Sequence, residues 1–134
     1  MLMPKKTKYR KAMKGKRGGK ASSKTILGFG NYGLKSLEAC WVTARQIEAA
    51  RKVLTKFTKR GGRIWIRIFP DKPVTKKGGE IPMGKGKGSV DHYVAIVKPG
   101  MIMFEMDGIE PDQAKKAMKL AAYKLPIKCR VVTK

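Results

Sequence analysis

The first 24 residues limit what this chain can fold into. They contain ten lysines and arginines, and the first acidic residue in the sequence is Glu38. The stretch GKRGGKASSK, residues 15–24, has almost no apolar side chain to bury. A segment of this composition cannot offset the entropy lost on ordering, so we expect residues 1–24 to be disordered until they bind a partner. The folded domain must therefore come from residues 25–134, as a single unit.

The charge of the whole chain predicts a polyanionic partner. Thirty-two lysines and arginines face nine acidic residues, a formal net charge of +23. In a compact domain these positive charges repel one another, and binding to a polyanion reduces that repulsion. Nucleic acid is the commonest polyanion. An anionic membrane would require a basic amphipathic helix with large apolar residues, and the basic segment lacks that stripe. We therefore expect RNA or DNA as the partner and no membrane.

The same composition limits targeting and redox state. No apolar run approaches the roughly 18 to 20 residues of a membrane span, and the start of the chain lacks the apolar region of a secretory signal. It is rich in lysine and glycine, whereas organellar transit peptides are usually arginine- and serine-rich. Cys40 and Cys129 are far apart in sequence, which indicates reduced thiols in a cytoplasmic protein.

Two helices are predicted from caps and apolar spacing. Thr43 and Gln46 form a capping box, and an apolar face follows at helical spacing before Gly61-Gly62 ends the helix. A second helix begins near Pro111, which is favoured in a first turn, and ends before Pro126. The apolar positions of the two helices are Ile47, Ala50, Leu54 and Phe57, then Ala114, Met118, Ala121 and Leu125.

Strands are predicted between and around these helices, so the fold class is α+β with a mixed or antiparallel sheet. RIWIRIF, residues 63–69, alternates between isoleucines and a basic, aromatic face. Residues 25–43 predict short bent strands, with Gly28, Gly30 and Gly33 at bulges or turns. Two strands flank Pro99-Gly100, and IKCRVV is a last strand. Residues 71–89 show no periodicity and predict a long loop, which is usually functional or disordered.

Two glycine motifs invite a nucleotide-binding interpretation, and neither has the required context. Residues 28–33 match GxGxxG, yet a basic tail precedes them and no helix follows. Residues 79–86 resemble a P-loop but lack the Ser or Thr that holds Mg²⁺, and Val90 onward predicts a strand instead of a helix. What remains is backbone N–H groups and lysines that can approach phosphate closely.

No catalytic or metal-binding constellation is visible, so we expect no enzyme activity, no metal and no cofactor. His92 is the single histidine, and it has no evident nucleophile. Five acids could suggest carboxylate chemistry: Asp91, Glu105, Asp107, Glu110 and Asp112. Asp107 and Glu110 are better explained by a turn and a helix start, and Asp112 by the helix dipole. Trp65 is equally compatible with base stacking and with packing, and Tyr93 favours packing. With few acids available, the helix arginines favour phosphate contact over simple solvation.

Several long stretches together resemble one family. FGNYGLKSLEACWVTARQIEAAR, IWIRIFPDKP, MGKGKGSVDHYVAIVKPGMIMFEMDG and AMKLAAYKLPIK are similar to the bacterial large-subunit ribosomal protein family numbered sixteen, over nearly the whole chain. The resemblance implies two helices with a hammerhead-like strand arrangement. It also implies binding to large-subunit ribosomal RNA, late entry into the assembling subunit, and a place beside the aminoacyl-tRNA site near the peptidyl transferase centre, among neighbouring ribosomal proteins.

The resemblance and the charge pattern together nominate the binding residues. The cations expected to bind ribosomal RNA are Lys5, Lys6, Lys8, Arg10, Lys11, Lys14, Lys16, Arg17, Arg45, Arg51, Arg63 and Arg67. The residues expected near the tRNA and the peptidyl transferase centre are Met83, Gly84, Lys85, Gly86, Lys87 and Gly88. Small glycines let this loop approach packed RNA closely, and its lysines neutralise phosphates there.

One position departs from the family, and two rival functions stay open at this point. Relatives often carry an arginine just before the Met-Gly of the loop, and this chain has Pro82. Any contact or modification that depends on that arginine cannot be carried over. An RNA-modifying enzyme would need an acid–base pair or a cofactor pocket, and the sequence supplies neither. An architectural chromosomal protein would favour apolar wedges at a ribbon tip, where this chain has glycine and lysine.

Overall fold

The computed structural model describes residues 2–5, 21, 25–58, 61–76 and 89–134. Within these residues the chain forms seven strands and two helices. Their order is β1 (Tyr32–Ser36), β2 (Cys40–Thr43), α1 (Ala44–Thr58), β3 (Arg63–Ile66), β4 (Lys72–Lys76), β5 (Ser89–Val97), β6 (Ile102–Asp107), α2 (Pro111–Ala122) and β7 (Cys129–Thr133).

The strands form two antiparallel sheets, which confirms the α+β class. The four-stranded sheet has the order β3-β6-β1-β7, and the three-stranded sheet has the order β2-β5-β4. The helices pack against each other, and both contact strands of the four-stranded sheet. Because register partners share a face, Leu34, Phe104 and Ile66 lie together on one side of that sheet. Leu34 and Phe104 are fully buried in the core that includes the helices.

Helix α1 begins where its sequence predicts. The Thr43 backbone N–H donates to Gln46 Oε1 at 2.9 Å, and the Gln46 N–H donates to Thr43 Oγ1 at 3.2 Å. This reciprocal pair is a capping box, which satisfies two N–H groups that the first turn leaves without a partner. Ile47 and Leu54 are fully buried, and Phe57 packs partly buried against the same core. Apolar spacing therefore placed this helix and its buried face correctly.

The two strands around Pro99-Gly100 exist, but they belong to different sheets. β5 lies in the three-stranded sheet and β6 in the four-stranded sheet. Gly100 has a φ of +92°, a conformation that glycine adopts at low cost. Its N–H donates to the carbonyl oxygen of Ser36 at 2.9 Å, and the buried Ser36 hydroxyl donates to the Lys98 carbonyl at 2.6 Å. Ser36 therefore holds the crossover between the two sheets.

The prediction of a strand-free loop over residues 71–89 was wrong at both ends. Lys72–Lys76 form β4, and Ser89 is the first residue of β5, opposite Lys76. Pro73 and the lysines concealed the strand because they break the expected alternation. Since β4 is an edge strand, the N–H that Pro73 lacks can be absent without loss of a central ladder bond. Residues 77–88 lie outside the described part of the chain.

The basic, aromatic strand is shorter than predicted. The alternation in RIWIRIF predicted a strand over residues 63–69, whereas β3 ends at Ile66, the register partner of Phe104 in β6. One further backbone hydrogen bond follows, from the Arg67 N–H to the Met103 carbonyl oxygen at 2.9 Å. The facial assignment is correct: Trp65 is the register partner of Glu105, on the side of the sheet opposite to Phe104. That side faces the segment before β1 instead of the helices.

Candidate nucleic-acid interface

The structure describes five of the twelve cations that were predicted to bind RNA. Those outside the described residues are Lys6, Lys8, Arg10, Lys11, Lys14, Lys16 and Arg17, together with the loop residues Met83, Gly84, Lys85, Gly86, Lys87 and Gly88. Of the five that are described, Lys5, Arg45 and Arg63 are exposed. Arg51 and Arg67 are only partly exposed, and both contact acids of this chain.

The exposed side of α1 carries a line of cations. Arg45, Lys52 and Lys56 are all exposed, and their separations of seven and four residues place them on one stripe of an α-helix. At 100° per residue this cation stripe lies nearly opposite the buried Ile47 and Leu54. The helix therefore turns its apolar face to the core and presents a row of positive charge to solvent.

Arg51 differs from its neighbours because it has an acidic partner. Its Nε donates to Glu48 Oε2 at 3.1 Å, one helical turn earlier, and the pair forms a salt bridge. The hydrogen bond from Arg51 lowers the pKa of Glu48, and the same bond raises the pKa of Arg51. One of the few acids in the chain, Glu48, thus pairs with Arg51, and phosphate contact by this arginine stays a prediction.

A second basic, aromatic region is built around a buried carboxylate. Glu105, in the middle of β6, is fully buried, and its side chain meets the segment of residues 25–31, here called the glycine loop. Its Oε1 accepts backbone N–H groups from Gly28 at 3.1 Å, Phe29 at 2.9 Å and Gly30 at 2.9 Å. Arg67 Nη1 lies 2.9 Å from Oε2. Although burial opposes ionisation, these donors and the Arg67 charge hold the pKa of Glu105 below its usual range.

The glycine loop needs small residues because it lies directly on the sheet. A Cβ atom at Gly30 would lie 2.6 Å from the carbonyl oxygen of Met106, closer than real Cβ contacts allow. Gly33 is part of β1, and the bulge of that strand follows between Leu34 and Lys35. The GxGxxG motif therefore leads into a strand, and its N–H donors already bind Glu105. A dinucleotide site in this motif is incompatible with that arrangement.

The guanidinium of Arg67 is committed within the fold. Besides Glu105, Nη1 donates to the carbonyl oxygen of Ile26 at 2.6 Å, and Cζ lies 5.5 Å from the centre of the Phe29 ring. Only 17% of its side-chain surface is exposed. Arg67 thus ties the glycine loop to the segment that follows β3. Its contact with RNA remains a prediction.

Trp65 stacks on Phe29. One face of the Trp65 ring is therefore used for packing within the protein. The two ring centres lie 5.9 Å apart with an interplanar angle of 18°. Tyr93, which was predicted to pack, is half-buried in β5 opposite Pro73. Phe29 itself is 59% exposed. The sequence prediction did not single out Phe29, although it sits between two glycines beside a basic strand.

Comparison with known proteins decides the family. Residues 4–132 match the family described as ribosomal protein L16p/L10e. The chain belongs to this family. It is 55% identical to the large ribosomal subunit protein uL16 of Heliobacterium modesticaldum, over 98% of this chain and 92% of that protein. The resemblance found from the sequence motifs is thereby confirmed.

Membership in the L16p/L10e family makes the chain a structural ribosomal protein, without an enzymatic role. The rival interpretations as an RNA-modifying enzyme and as a chromosomal protein are therefore set aside. Burial raises the pKa of the Cys129 thiol to about 11, which makes this cysteine a poor nucleophile. The described residues contain no cluster of three or more potential metal ligands. None of the helices that the structure describes is long and apolar enough to cross a membrane.

Glu105 is the functional residue that the sequence prediction missed. It was grouped with the other acids of residues 91–112 and given no role. Its signal was its position within IMFEMD, where it is flanked by apolar residues that are fully buried. A carboxylate buried among apolar neighbours requires several donors, and a segment rich in glycine can supply backbone N–H groups.

Proposed function

We propose that this L16p/L10e protein is a constituent of the large ribosomal subunit and binds large-subunit ribosomal RNA through its exposed cations. The observation that carries the proposal is the cation stripe of α1, since Arg45, Lys52 and Lys56 project from one helix face. Three cations in a row match the repeated charges of a phosphate backbone. The name of the Heliobacterium relative supports the large subunit as its location.

The remaining predicted cations extend this interface. Arg63 is exposed at the start of β3, and Lys5 is exposed near the start of the chain. The basic residues between 6 and 17 add sequence-independent phosphate contacts. Arg51 on α1 and Arg67 on the side of the four-stranded sheet that faces away from the helices contribute further positive charge while bound to Glu48 and Glu105. Phosphate contacts of this kind fix the position and orientation of a protein on RNA.

We further propose that residues 83–88 lie near the aminoacyl-tRNA and the peptidyl transferase centre. The segment that contains them connects β4 to β5, whose end residues Lys76 and Ser89 are register partners. It therefore leaves and re-enters the three-stranded sheet at adjacent points. Its glycines and lysines suit close contact with phosphate. Pro82 stands where relatives often have arginine, so the proposal includes no contact through that position.

The proposed assembly role rests on the family to which the chain belongs. The family resemblance implies a binding site on ribosomal RNA beside neighbouring ribosomal proteins and late entry into the assembling subunit. We therefore place its entry late in assembly of the large subunit. Its expected location is the ribosome of the cytoplasm.

The experiment compares two triple variants by their salt dependence. Arg45, Lys52 and Lys56 are replaced by glutamine in one variant, and the exposed α2 lysines Lys115, Lys116 and Lys119 in a matched control. The dissociation constant for a large-subunit ribosomal RNA transcript is measured over a range of salt. If the stripe binds phosphate, its loss reduces the log–log salt slope by about 2 to 3. Equal slopes for wild type and the stripe variant would refute the proposed interface.

A further inference from the structure

Phe29 is an exposed aromatic residue on a backbone that is fixed before any partner binds. Three consecutive N–H groups, from Gly28 to Gly30, bind the buried Glu105 carboxylate. Trp65 stacks against the Phe29 ring, yet 59% of the surface of Phe29 remains exposed. Ile26, in the same loop, is 76% exposed. The buried Glu105 carboxylate thus fixes a loop whose Ile26 and Phe29 side chains are exposed to solvent. Packing of the core does not explain this arrangement.

The surroundings of this ring are basic. The Arg67 guanidinium lies 5.5 Å from the ring centre, and Arg63 is exposed on the same strand face, two residues before Trp65. The exposed Lys134 follows β7, and its backbone N–H donates to the carbonyl oxygen of Asn31 at 2.8 Å. The nearby acid Asp107 is engaged by the Asn31 side chain at 2.9 Å. A partner at this surface therefore meets an aromatic face bordered by positive charge.

We propose that Phe29 is a stacking platform for an unpaired base of large-subunit ribosomal RNA, with Arg63 and Lys134 facing phosphates of the same RNA strand. This inference rests on the proposed RNA-binding function and adds a specific subsite to it. Exposed bases in RNA loops stack on aromatic side chains and on guanidinium groups. Glu105 and Arg67 are positioning residues, because they fix the loop backbone and with it the ring.

The size and charge of the surface favour a nucleotide over a protein. Stable protein interfaces bury about 800 Å² on each partner around an apolar centre that is poor in charge. Here two apolar side chains, Ile26 and Phe29, stand among cations. One base covers such an area, and the neighbouring cations match its phosphates. The prior fixation of the loop reduces the entropy lost on binding.

The test distinguishes stacking on the aromatic ring from general contact with an apolar side chain. Phe29→Leu removes the ring and keeps an apolar side chain, whereas the matched control Phe29→Tyr keeps the ring. Both full-length variants are titrated against a protein-free large-subunit ribosomal RNA transcript at several salt concentrations. We expect Phe29→Leu to weaken binding by about 5- to 100-fold with an unchanged salt slope, and Phe29→Tyr to bind within about twofold of wild type.

The outcomes distinguish this inference from the proposed function. If wild type keeps a steep salt slope while Phe29→Leu binds as tightly as wild type, the stacking subsite is refuted and RNA binding stands. If wild type itself shows no steep slope, the proposed function fails. A deficit that appears only in subunits assembled with other proteins would assign Phe29 to a protein contact and overturn the inference.

A second measurement uses the wild-type protein, so it does not depend on whether a variant folds. Wild-type protein bound to the transcript is irradiated with ultraviolet light, and cross-linked peptides are identified by mass spectrometry. A nucleotide attached within residues 25–31 supports the platform. If cross-links form elsewhere in the chain and none forms in this segment, Phe29 does not stack on RNA. Thermal unfolding of each variant without RNA accompanies the titrations.

Discussion

Arg67 Nη1 and Glu105 Oε2 lie 2.9 Å apart, and this ion pair joins the end of the basic, aromatic strand to a fully buried carboxylate in β6. The carboxylate also binds three backbone N–H groups of the glycine loop. Glu105 thus fixes the backbone of the glycine loop, which carries the exposed Phe29. The stability of that segment should depend on the charge of a single side chain.

Replacing Glu105 by glutamine is expected to destabilise the protein by about 3 kcal/mol, because Arg67 and three N–H groups lose their anionic partner. The measurement is urea unfolding at neutral pH. The matched control is Glu48→Gln, which removes an acid paired with an arginine on the partly exposed surface of α1. This control should change the free energy of unfolding little. Equal effects of the two substitutions would contradict the role assigned to Glu105.

The same carboxylate predicts a pH dependence. Because the folded protein lowers the pKa of Glu105, the unfolded chain binds the proton more readily than the folded chain. Its stabilising contribution is complete above the ordinary glutamate pKa of about 4.3 and is lost as the pH falls through the lower folded value. The difference in unfolding free energy between wild type and Glu105→Gln should therefore shrink below about pH 4. A difference that stays constant down to pH 2 would be inconsistent with an ionised Glu105.

Two glycines of the same loop should respond differently to alanine. A Cβ atom at Gly30 would meet backbone at 2.6 Å, whereas at Gly28 the nearest atom is Arg67 Nη1 at an ordinary 3.6 Å. We expect Gly30→Ala to cost about 1 to 3 kcal/mol and Gly28→Ala less than about 1 kcal/mol. In a Trp41→Phe background, Trp65 fluorescence reports whether Phe29 still stacks. Gly28→Ala should leave the Trp65 emission unchanged, and a shift as large as that of Gly30→Ala would argue against the close approach at Gly30.

The loop of residues 83–88 gives a prediction that separates charge from shape. Replacing Lys85 and Lys87 by alanine should weaken binding to the ribosomal site, and the deficit should diminish at high salt because screening weakens what was lost. Replacing Gly84 and Gly86 by valine keeps the charge and adds branched side chains. Its deficit should persist at high salt, since a steric clash is not screened. Normal subunit assembly and aminoacyl-tRNA binding in both variants would leave this loop without the proposed role.

Sequence patterns predicted the starts of both helices well because those signals are local, whereas α2 ends at Ala122, earlier than the expected end before Pro126. The capping box at Thr43 and the spacing of Ile47 and Leu54 fix the start and the buried face of α1 within one stretch of chain. Strand membership was harder, because it depends on distant partners. Pro99-Gly100 correctly indicated a turn, but nothing nearby reveals that β5 and β6 join different sheets. β4 was missed because Pro73 breaks the alternation that an edge strand does not need.

The exposure of cations at the candidate site could be predicted from the sequence, whereas the contacts between its side chains could not. Arg45 and Arg63 are exposed as expected. The pairing of Arg67 with Glu105 joins two strands that are distant in sequence, so neither residue identifies the other before the sheet is known. The glycines of residues 28–30 were attributed to bulges or turns. The requirement at Gly30 arises instead from a close approach to β6, and the backbone N–H groups of both glycines bind the carboxylate of Glu105.

The pairing of Lys76 with Ser89 has a consequence for how this protein can diversify. Both ends of the intervening segment are held by one sheet ladder, so residues can be inserted or deleted between them without moving the strand register or the core. Loop length costs little free energy when the ends are already close, because closure entropy grows only with the logarithm of length. Homologues could therefore vary how far the segment reaches while the domain that carries it stays the same.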